Sequence, residues 1–369
     1  MVVEGLSDEM LIGNIADVKI YDHEGVIETG EDMNVKISLD DQIILEERYY
    51  SVGNGIIIRG LKKVIIDGWQ HENLVFQDSA YKISANLKIN ITFPDRTDIP
   101  EQQHTYMLYY CSLISNGMQV KDRFLTRYTE KEVHLDSTEM VAFKIQQGRI
   151  YQIDTVFLKN GVVAYGMDAG KMYISRPDDT KAYVFRISMK ERLDEYDADS
   201  LIYVRARILD EQDKELDRIT FNVVSSVSLL QSDYLYRNPF GIPEVINFHG
   251  KVTETFDPQN QLAYTLDGYM KVSDDPIETY KVHTGALSEE LRESVKDFLR
   301  SFDTYQLVNN QLGERMTVVE SEAERTYPAN SITGYTITLR KSGYQRDKFS
   351  RKEYSANRVF DKSFDNTYE

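Results

Sequence analysis

The chain has 369 residues, a formal net charge of −17, and 28% charged residues. An acidic excess of this size argues against tight binding to nucleic acid or to anionic lipid, since both need clustered Lys and Arg. The single cysteine, Cys111, rules out an intrachain disulfide and suits a reducing compartment, and eight prolines are too few for a linker-rich chain.

The opening residues from Met1 to Glu9 have no basic stretch followed by a long apolar core, so no signal peptide is expected. No apolar run approaches the roughly 18 to 20 residues of a membrane helix. The product is expected to be cytoplasmic when made. Met33, Val35, Ile37 and Leu39 alternate with polar residues, the mark of a half-buried strand. Ile43–Tyr50, Gly55–Arg59 and Lys63–Asp67 read as further strands, with a turn at Gly53-Asn54-Gly55. Trp69, the only tryptophan, reads as a core plug at a strand end. The clearest alternation runs from Tyr81 to Phe93, a strand of about 40 Å if unbroken, at roughly 3.3 Å per residue.

A second series of strands is expected at Met140–Gln146, Ile150–Leu158, Val162–Tyr165, Lys171–Ser175, Lys181–Ser188, Leu201–Leu209 and Arg218–Val224. Asn160-Gly161 predicts a type I′ hairpin turn, because both central residues of that turn need positive φ. An acidic turn, Asp210–Glu215, separates the last two strands. This spacing, with almost no helix signal, predicts two tandem antiparallel β-sandwiches, at 1–112 and 113–233.

The chain then changes character. Tyr234–Ile246 carries two prolines, Pro239 and Pro243, with Gly241 between them. Proline fixes φ and biases the residue before it toward extended geometry, so the segment is a stiff junction with one bending point. A smaller α+β domain is expected at 234–342. Its helix runs from Leu287 to Phe302, with Leu287, Leu291, Val295, Phe298, Leu299 and Phe302 on one face and Ser288 as N-cap. Leu262–Val272, Glu278–His283, Gln306–Val308, Arg315–Ser321 and Gly334–Leu339 supply its sheet. Residues 343–369 mix charges with little apolar content and read as an extended arm that orders against a partner.

No chemistry is legible. The six histidines form no His-x-x-x-His pair, and one cysteine excludes a thiolate metal site. No nucleophile elbow, phosphate loop or dinucleotide fingerprint occurs. No catalytic, cofactor-binding or metal-binding residue is assigned, and a non-enzyme is expected. The acidic loop Asp194–Asp199 lacks the spacing of a calcium hand and reads as a solvated turn. The pairs Tyr49-Tyr50 and Tyr109-Tyr110 suit cross-strand packing or an interface better than sugar stacking. The interface or interdomain candidates are Tyr234, Tyr236 and Phe240. Phe240, beside Gly241 on a stiffened loop, is either a plug between two domains or an anchor for a neighbouring subunit. The plug is favoured, because the segment joins domains that would otherwise swing. Tyr234 and Tyr236 are expected to complete an aromatic patch with it.

Three segments in order carry a resemblance: Asp122-Arg-Phe-Leu-Thr-Arg127, Tyr236-Arg-Asn-Pro-Phe-Gly-Ile-Pro-Glu244, and the helix core at 287–299. Together they resemble tail proteins of tailed phages and prophages of anaerobic gut bacteria. The resemblance implies a virion structural protein of a tail tip or baseplate, linking the tail tube to fibre or receptor-binding parts. It implies partners in other tail proteins and in copies of the chain itself, in a three- or six-fold ring. No catalytic or binding residue carries over. The rival reading is a carbohydrate-binding adhesin whose tyrosines contact host surface glycan.

Overall fold

The alternating patterns produce strands almost throughout, and the protein is mainly β with several sheets and a few helices. The computed structural model describes residues 1–22, 27–96, 98–113, 120–144, 146, 148–168, 180–224, 232–265, 268–322 and 334–342. The strand expected at Lys171–Ser175 and the arm at 343–369 lie outside these residues.

The first region contains β1 (Val2–Glu4), β2 (Glu9–Leu11), β3 (Val18–Tyr21), β4 (Asp32–Leu39), β5 (Gln42–Tyr50), β6 (Gly55–Ile58), α1 (Leu61–Gly68), β7 (Ser79–Lys82), β8 (Ser84–Thr92) and β9 (Gln102–Tyr109). One sheet has the order β1-β3-β6 and another β2-β9-β8-β4-β5. Met33, Val35, Ile37 and Leu39 from β4 meet Ala85, Leu87, Ile89 and Ile91 from β8 in one core with Val18, Ile20 and Ile58. The expected strand at Lys63–Asp67 is instead α1. Its β-branched residues suggest a strand. The spacing of Leu61, Ile65 and Trp69 decides the matter, because i, i+4 and i+8 share one helix face and all three are buried. Trp69 therefore plugs the core from a helix end, its ring 5.1 Å from that of Tyr110.

The long alternation from Tyr81 to Phe93 does not form one strand. It breaks at Ile83, where the N–H groups of both Ile83 and Ser84 donate to the Thr180 carbonyl. Tyr81 and Ile83 then face a different core from Ala85, Leu87 and Ile89.

The second region contains β10 (Glu130–His134), β11 (Thr138–Lys144), β12 (Ile150–Lys159), β13 (Val162–Asp168), β14 (Lys181–Ser188), α2 (Met189–Glu195), β15 (Ser200–Leu209) and β16 (Glu215–Val224). The hairpin turn joining β12 to β13 has φ of 53° at Asn160 and 73° at Gly161, as a type I′ turn requires. A five-stranded sheet, β10-β16-β15-β12-β13, packs on a three-stranded one, β11-β14-β7. Strand β7 comes from the first region, so the pairing crosses the expected border at 112. Most pairings are antiparallel, but β2–β9 and β10–β16 are parallel. The helix α2 departs from the expected absence of helix signal. Its N-cap Ser188 accepts from the Glu191 N–H, and Ser-x-x-Glu is the sequence of a capping box.

The sheet β11-β14-β7 is buried on both sides. Val141 and Phe143 face the core of the second region, whereas Met140 and Ala142 face a core shared with the first and third regions. Every residue of β11 is buried, so alternation disappears from its sequence.

The third region contains β17 (Ser232–Arg237), β18 (Pro243–Phe248), β19 (Val252–Thr265), β20 (Gly268–His283), α3 (Glu289–Arg300), β21 (Thr304–Val308), β22 (Gln311–Glu322) and β23 (Thr336–Lys341). They form one sheet, β18-β17-β21-β22-β23-β20-β19. The expected strand Leu262–Val272 is the end of β19 and the start of β20, which pair with each other as a hairpin. Ser288 caps α3 as expected, accepting from the Leu291 N–H. Val295 and Phe298 are fully buried, and Phe298 packs against Tyr234, Tyr236 and Phe248 with ring centroids 5.4–5.7 Å apart. Phe302 leaves the expected stripe and is 92% exposed. The helix ends at Arg300, because the Ser301 hydroxyl bonds the Asp303 carbonyl and turns the chain away.

Candidate functional site

The stiff segment after β17 is where all three regions meet. Its loop, residues 238–242, is closed by Asn238. The Asn238 Oδ1 accepts from the Phe240 N–H at 2.9 Å and the Ile242 N–H at 3.4 Å. The Asn238 Nδ2 donates to the Leu125 carbonyl and to Glu244 Oε2, both at 2.8 Å. Asn238 is 4% exposed, so these bonds replace water that cannot reach it.

Phe240 projects from this loop and is 1% exposed. It lies in a core with Tyr81 and Tyr109 from the first region, Leu125 and Met140 from the second, and Leu235 and Val245 from the third. Tyr234 and Tyr236 are equally buried but lie in the core under α3. Successive residues of a strand point to opposite faces, and Leu235 takes the Phe240 side of β17. The aromatic patch expected from Tyr234, Tyr236 and Phe240 is therefore not formed. Strand β17 separates them into two cores.

Gly241 has φ +79°, and a Cβ there would lie 3.0 Å from both His71 Cε1 and Tyr110 Cδ1. Only glycine takes this turn against the first region without strain. Arg237 ties the same contact down. It donates to Asp303 Oδ2 at 3.0 Å, and to the Gly241 and Glu72 carbonyls at 2.8 Å each. The His71 ring lies edge-on to Tyr110, with centroids 4.6 Å apart. Burial, then the Arg237 charge, push the His71 imidazole down to about 4, with Asp303 pulling the other way.

A depressed histidine favours the neutral ring in the fold. Its contribution to stability is complete above the unfolded value near 6.5 and is lost as pH falls toward about 4. Asp297 works in the opposite sense: burial raises it to about 6, so the fold takes up that proton before the unfolded chain does. Melting temperature measured from neutral pH down through this window should fall less in His71→Gln than in the parent. An equal fall in both would remove His71 from the acid response.

Buried charge crosses from the second region to the third. The Lys131 Nζ lies 2.6 Å from Glu139 Oε2 and donates to the Val245 carbonyl at 2.7 Å. Burial raises the Glu139 carboxyl, while Lys131 opposes this. The Glu244 carboxylate, also raised by burial, accepts from the Tyr236 hydroxyl at 2.7 Å as well as from Asn238. Arg127 pairs with Asp297 on α3 at 2.5 Å, and the Thr129 N–H donates to Glu290 at 2.8 Å. Arg127, Thr129, Lys131 and Glu290 also line a groove of about 1060 Å³, together with Arg123, Asn247, His249 and the first turn of α3.

The three segments that carry the resemblance thus converge. Leu125 of the first segment touches Asn238 of the second, and Arg127 touches Asp297 of the helix. Sequence reading marked the segments but not Asn238, Glu244, Lys131 or Glu139. One signal was present: Lys131 and Val133 are buried while Glu130 and Glu132 are exposed, so a lysine occupies an apolar phase of β10. Elsewhere, Tyr109 and Tyr110 are buried, whereas Tyr50 is 63% exposed. In the acidic loop, Asp197 pairs with Lys159 at 3.4 Å and Asp199 accepts the Gly161 N–H at 3.4 Å. Among the described residues no group of three or more His, Cys, Asp or Glu is placed to hold a metal, and no helix is long and apolar enough to cross a membrane.

No protein-family model matches the chain, and no curated protein matches it. Among solved structures, extracellular domains 3–5 of Drosophila OTK align with 76% of this chain and 90% of that one, at 10% identity and a TM-score of 0.23. A structure of a 1.5-MDa bacterial ice-binding adhesin aligns with 77% of this chain and 90% of that one, at 9% identity and a TM-score of 0.16. Superpositions this loose carry no functional argument.

Proposed function

We propose that the chain is a non-enzymatic structural protein of a phage tail tip or baseplate, joining the tail tube to fibre or receptor-binding parts. The observation that supports this most is the core around Phe240, to which all three β-regions contribute. Such a core suits a part that passes force between neighbours without bending. The resemblance carried by Asp122–Arg127, Tyr236–Glu244 and the helix core at 287–299 points the same way.

The β19–β20 hairpin adds a means of assembly. Its strands pair with each other over Val252–Thr265 and Gly268–Val282, but among the described residues β20 pairs with β23 only over Thr279–His283. A two-stranded ribbon is marginal alone in water, so its outer part gains from a neighbouring subunit. The partners in this reading are other tail proteins and copies of the chain itself. Heterologous contacts between copies close into a ring of three- or six-fold symmetry. The chain is made in the host cytoplasm and resides in the virion tail.

The mass of the assembled tail tip should give a copy number divisible by three; two or four copies would count against the ring. The adhesin reading is kept for one observation, the exposed rings of Tyr50 and Tyr165, at 63% and 75%. Binding of the isolated chain to a glycan array, lost in Tyr50→Ala or Tyr165→Ala, would favour that reading instead.

A further inference from the structure

A free strand edge is a row of unpaired backbone groups, and proteins blunt such edges by shortness, charge or cover. Most edges among the described residues are blunted in one of these ways. Strands β1 and β2 have three residues each, and β6 and β7 have four. Every residue of β11 and β18 is buried. Strand β5 carries Glu46, Glu47 and Arg48, and β10 exposes Glu130 and Glu132.

Two edges have none of these protections. Strand β13 pairs only with β12 among the described residues, exposes Val162, Val163 and Tyr165, and has no charged residue before Asp168. Residues 259–265 of β19 match it in length, pair only with β20 among the described residues, and have no charged residue at all. The other edge of that ribbon, on β20, carries Lys271, Asp274, Asp275 and Pro276. Each bare edge also exposes a tyrosine, Tyr165 at 75% and Tyr264 at 78%. Aromatic side chains across neighbouring strands strengthen a ladder.

Charge selects the partner. A strand laid on β5 or β10 must cover their glutamates, and in a chain of net charge −17 a second copy is repelled there. The uncharged edges of β13 and β19 carry no such penalty. Position selects how they meet. Strands β10 and β18 lie together at the seam between the second and third regions, where Lys131 Nζ donates to the Val245 carbonyl. Strand β13 is four strands beyond β10, and β19 is six beyond β18. At about 4.8 Å per strand the two edges stand roughly 19 and 29 Å from that seam, at the outer ends of their sheets.

We infer that residues 259–265 of one copy add as a strand to the β13 edge of the next, continuing the five-stranded sheet from one subunit into its neighbour. This rests on the reading of the β19–β20 hairpin as an assembly element and names the surface that receives it. The two patches differ, so the contact is heterologous, as ring closure requires.

Sedimentation of the purified intact chain tests the pairing. The parent should form oligomers that dissociate on dilution. Val163→Lys with Tyr165→Lys blocks the receiving edge, and Gln259→Lys with Gln261→Lys blocks the added strand. Each blocked chain should sediment as a monomer. Their mixture should give a dimer and nothing larger, because one live edge of each kind remains. A monomeric parent, a blocked chain that still associates with itself, or a mixture that stays monomeric would each overturn the pairing. Where a lysine variant melts below the parent, cysteine variants replace it. Tyr165→Cys and Leu262→Cys sit in mid-strand, so they lie opposite each other whichever way the strands run. With oxidised glutathione the two variants should crosslink to each other, and Cys111, fully buried, does not compete. No crosslink in the mixture, or a crosslink in either variant alone, would overturn the pairing equally. The tests use no tail particle, so their failure strikes this contact and leaves the tail-tip reading to the mass of the assembled tip.

Discussion

Phe240→Ala should lower the stability of the isolated chain by about 3–5 kcal/mol, the usual cost of emptying a buried aromatic site. The side chain is 1% exposed and touches a core drawn from all three regions, so little can collapse into the space. The loss should also appear as a looser arrangement of the regions in small-angle scattering. Chemical denaturation at equilibrium measures the first effect. A variant as stable and compact as the parent that fails to enter tail particles would make Phe240 an anchor between subunits instead of a plug within one.

Lys131→Met should cost a similar amount, about 3–5 kcal/mol, because it leaves Glu139 buried without its counter-charge. The Glu139 side chain is fully buried, and burial raises its carboxyl while Lys131, and after it a hydrogen bond from Asn247, pull it down. Adding Glu139→Leu to Lys131→Met should restore much of the loss, since an apolar pair of similar size has no charge to desolvate. The single and double variants both lack the Val245 bond, so the difference between them isolates the cost of leaving Glu139 unpaired. A cost below about 1 kcal/mol for Lys131→Met alone would mean that Glu139 takes up a proton as soon as the lysine is gone.

Local patterns were legible where they had one partner surface. The alternation of Met33–Leu39 gave β4, Asn160-Gly161 gave its hairpin, and Ser288 gave the start of α3. Legibility failed where a segment serves two surfaces or where a short pattern is ambiguous. Tyr81–Phe93 reads as one face, yet Tyr81 and Ala85 lie in different cores because Thr180 interrupts the strand between them. Lys63–Asp67 carries strand-favouring residues, and only the wider spacing of Leu61, Ile65 and Trp69 reveals the helix. The capping sequence Ser188–Glu191 was there to be read.

The junction itself was half legible. Pro239, Gly241 and Pro243 announced a stiff turn, and that turn exists. The alternation of β17 already placed Leu235 opposite Tyr234 and Tyr236, which argued against one aromatic patch. The closing bonds were beyond reach, because Asn238 meets Leu125 and Lys131 meets Val245 across more than a hundred residues. Nothing local in a sequence encodes such a meeting.

The account rests on the claim that Tyr234–Ile246 fuses three β-regions into one rigid body. Scanning calorimetry of the intact chain tests it most directly. A shared core predicts one cooperative transition, with calorimetric and van't Hoff enthalpies in agreement, and Phe240→Ala should split or broaden it. Two or three separate transitions in the parent would contradict the claim and leave the regions as independent beads.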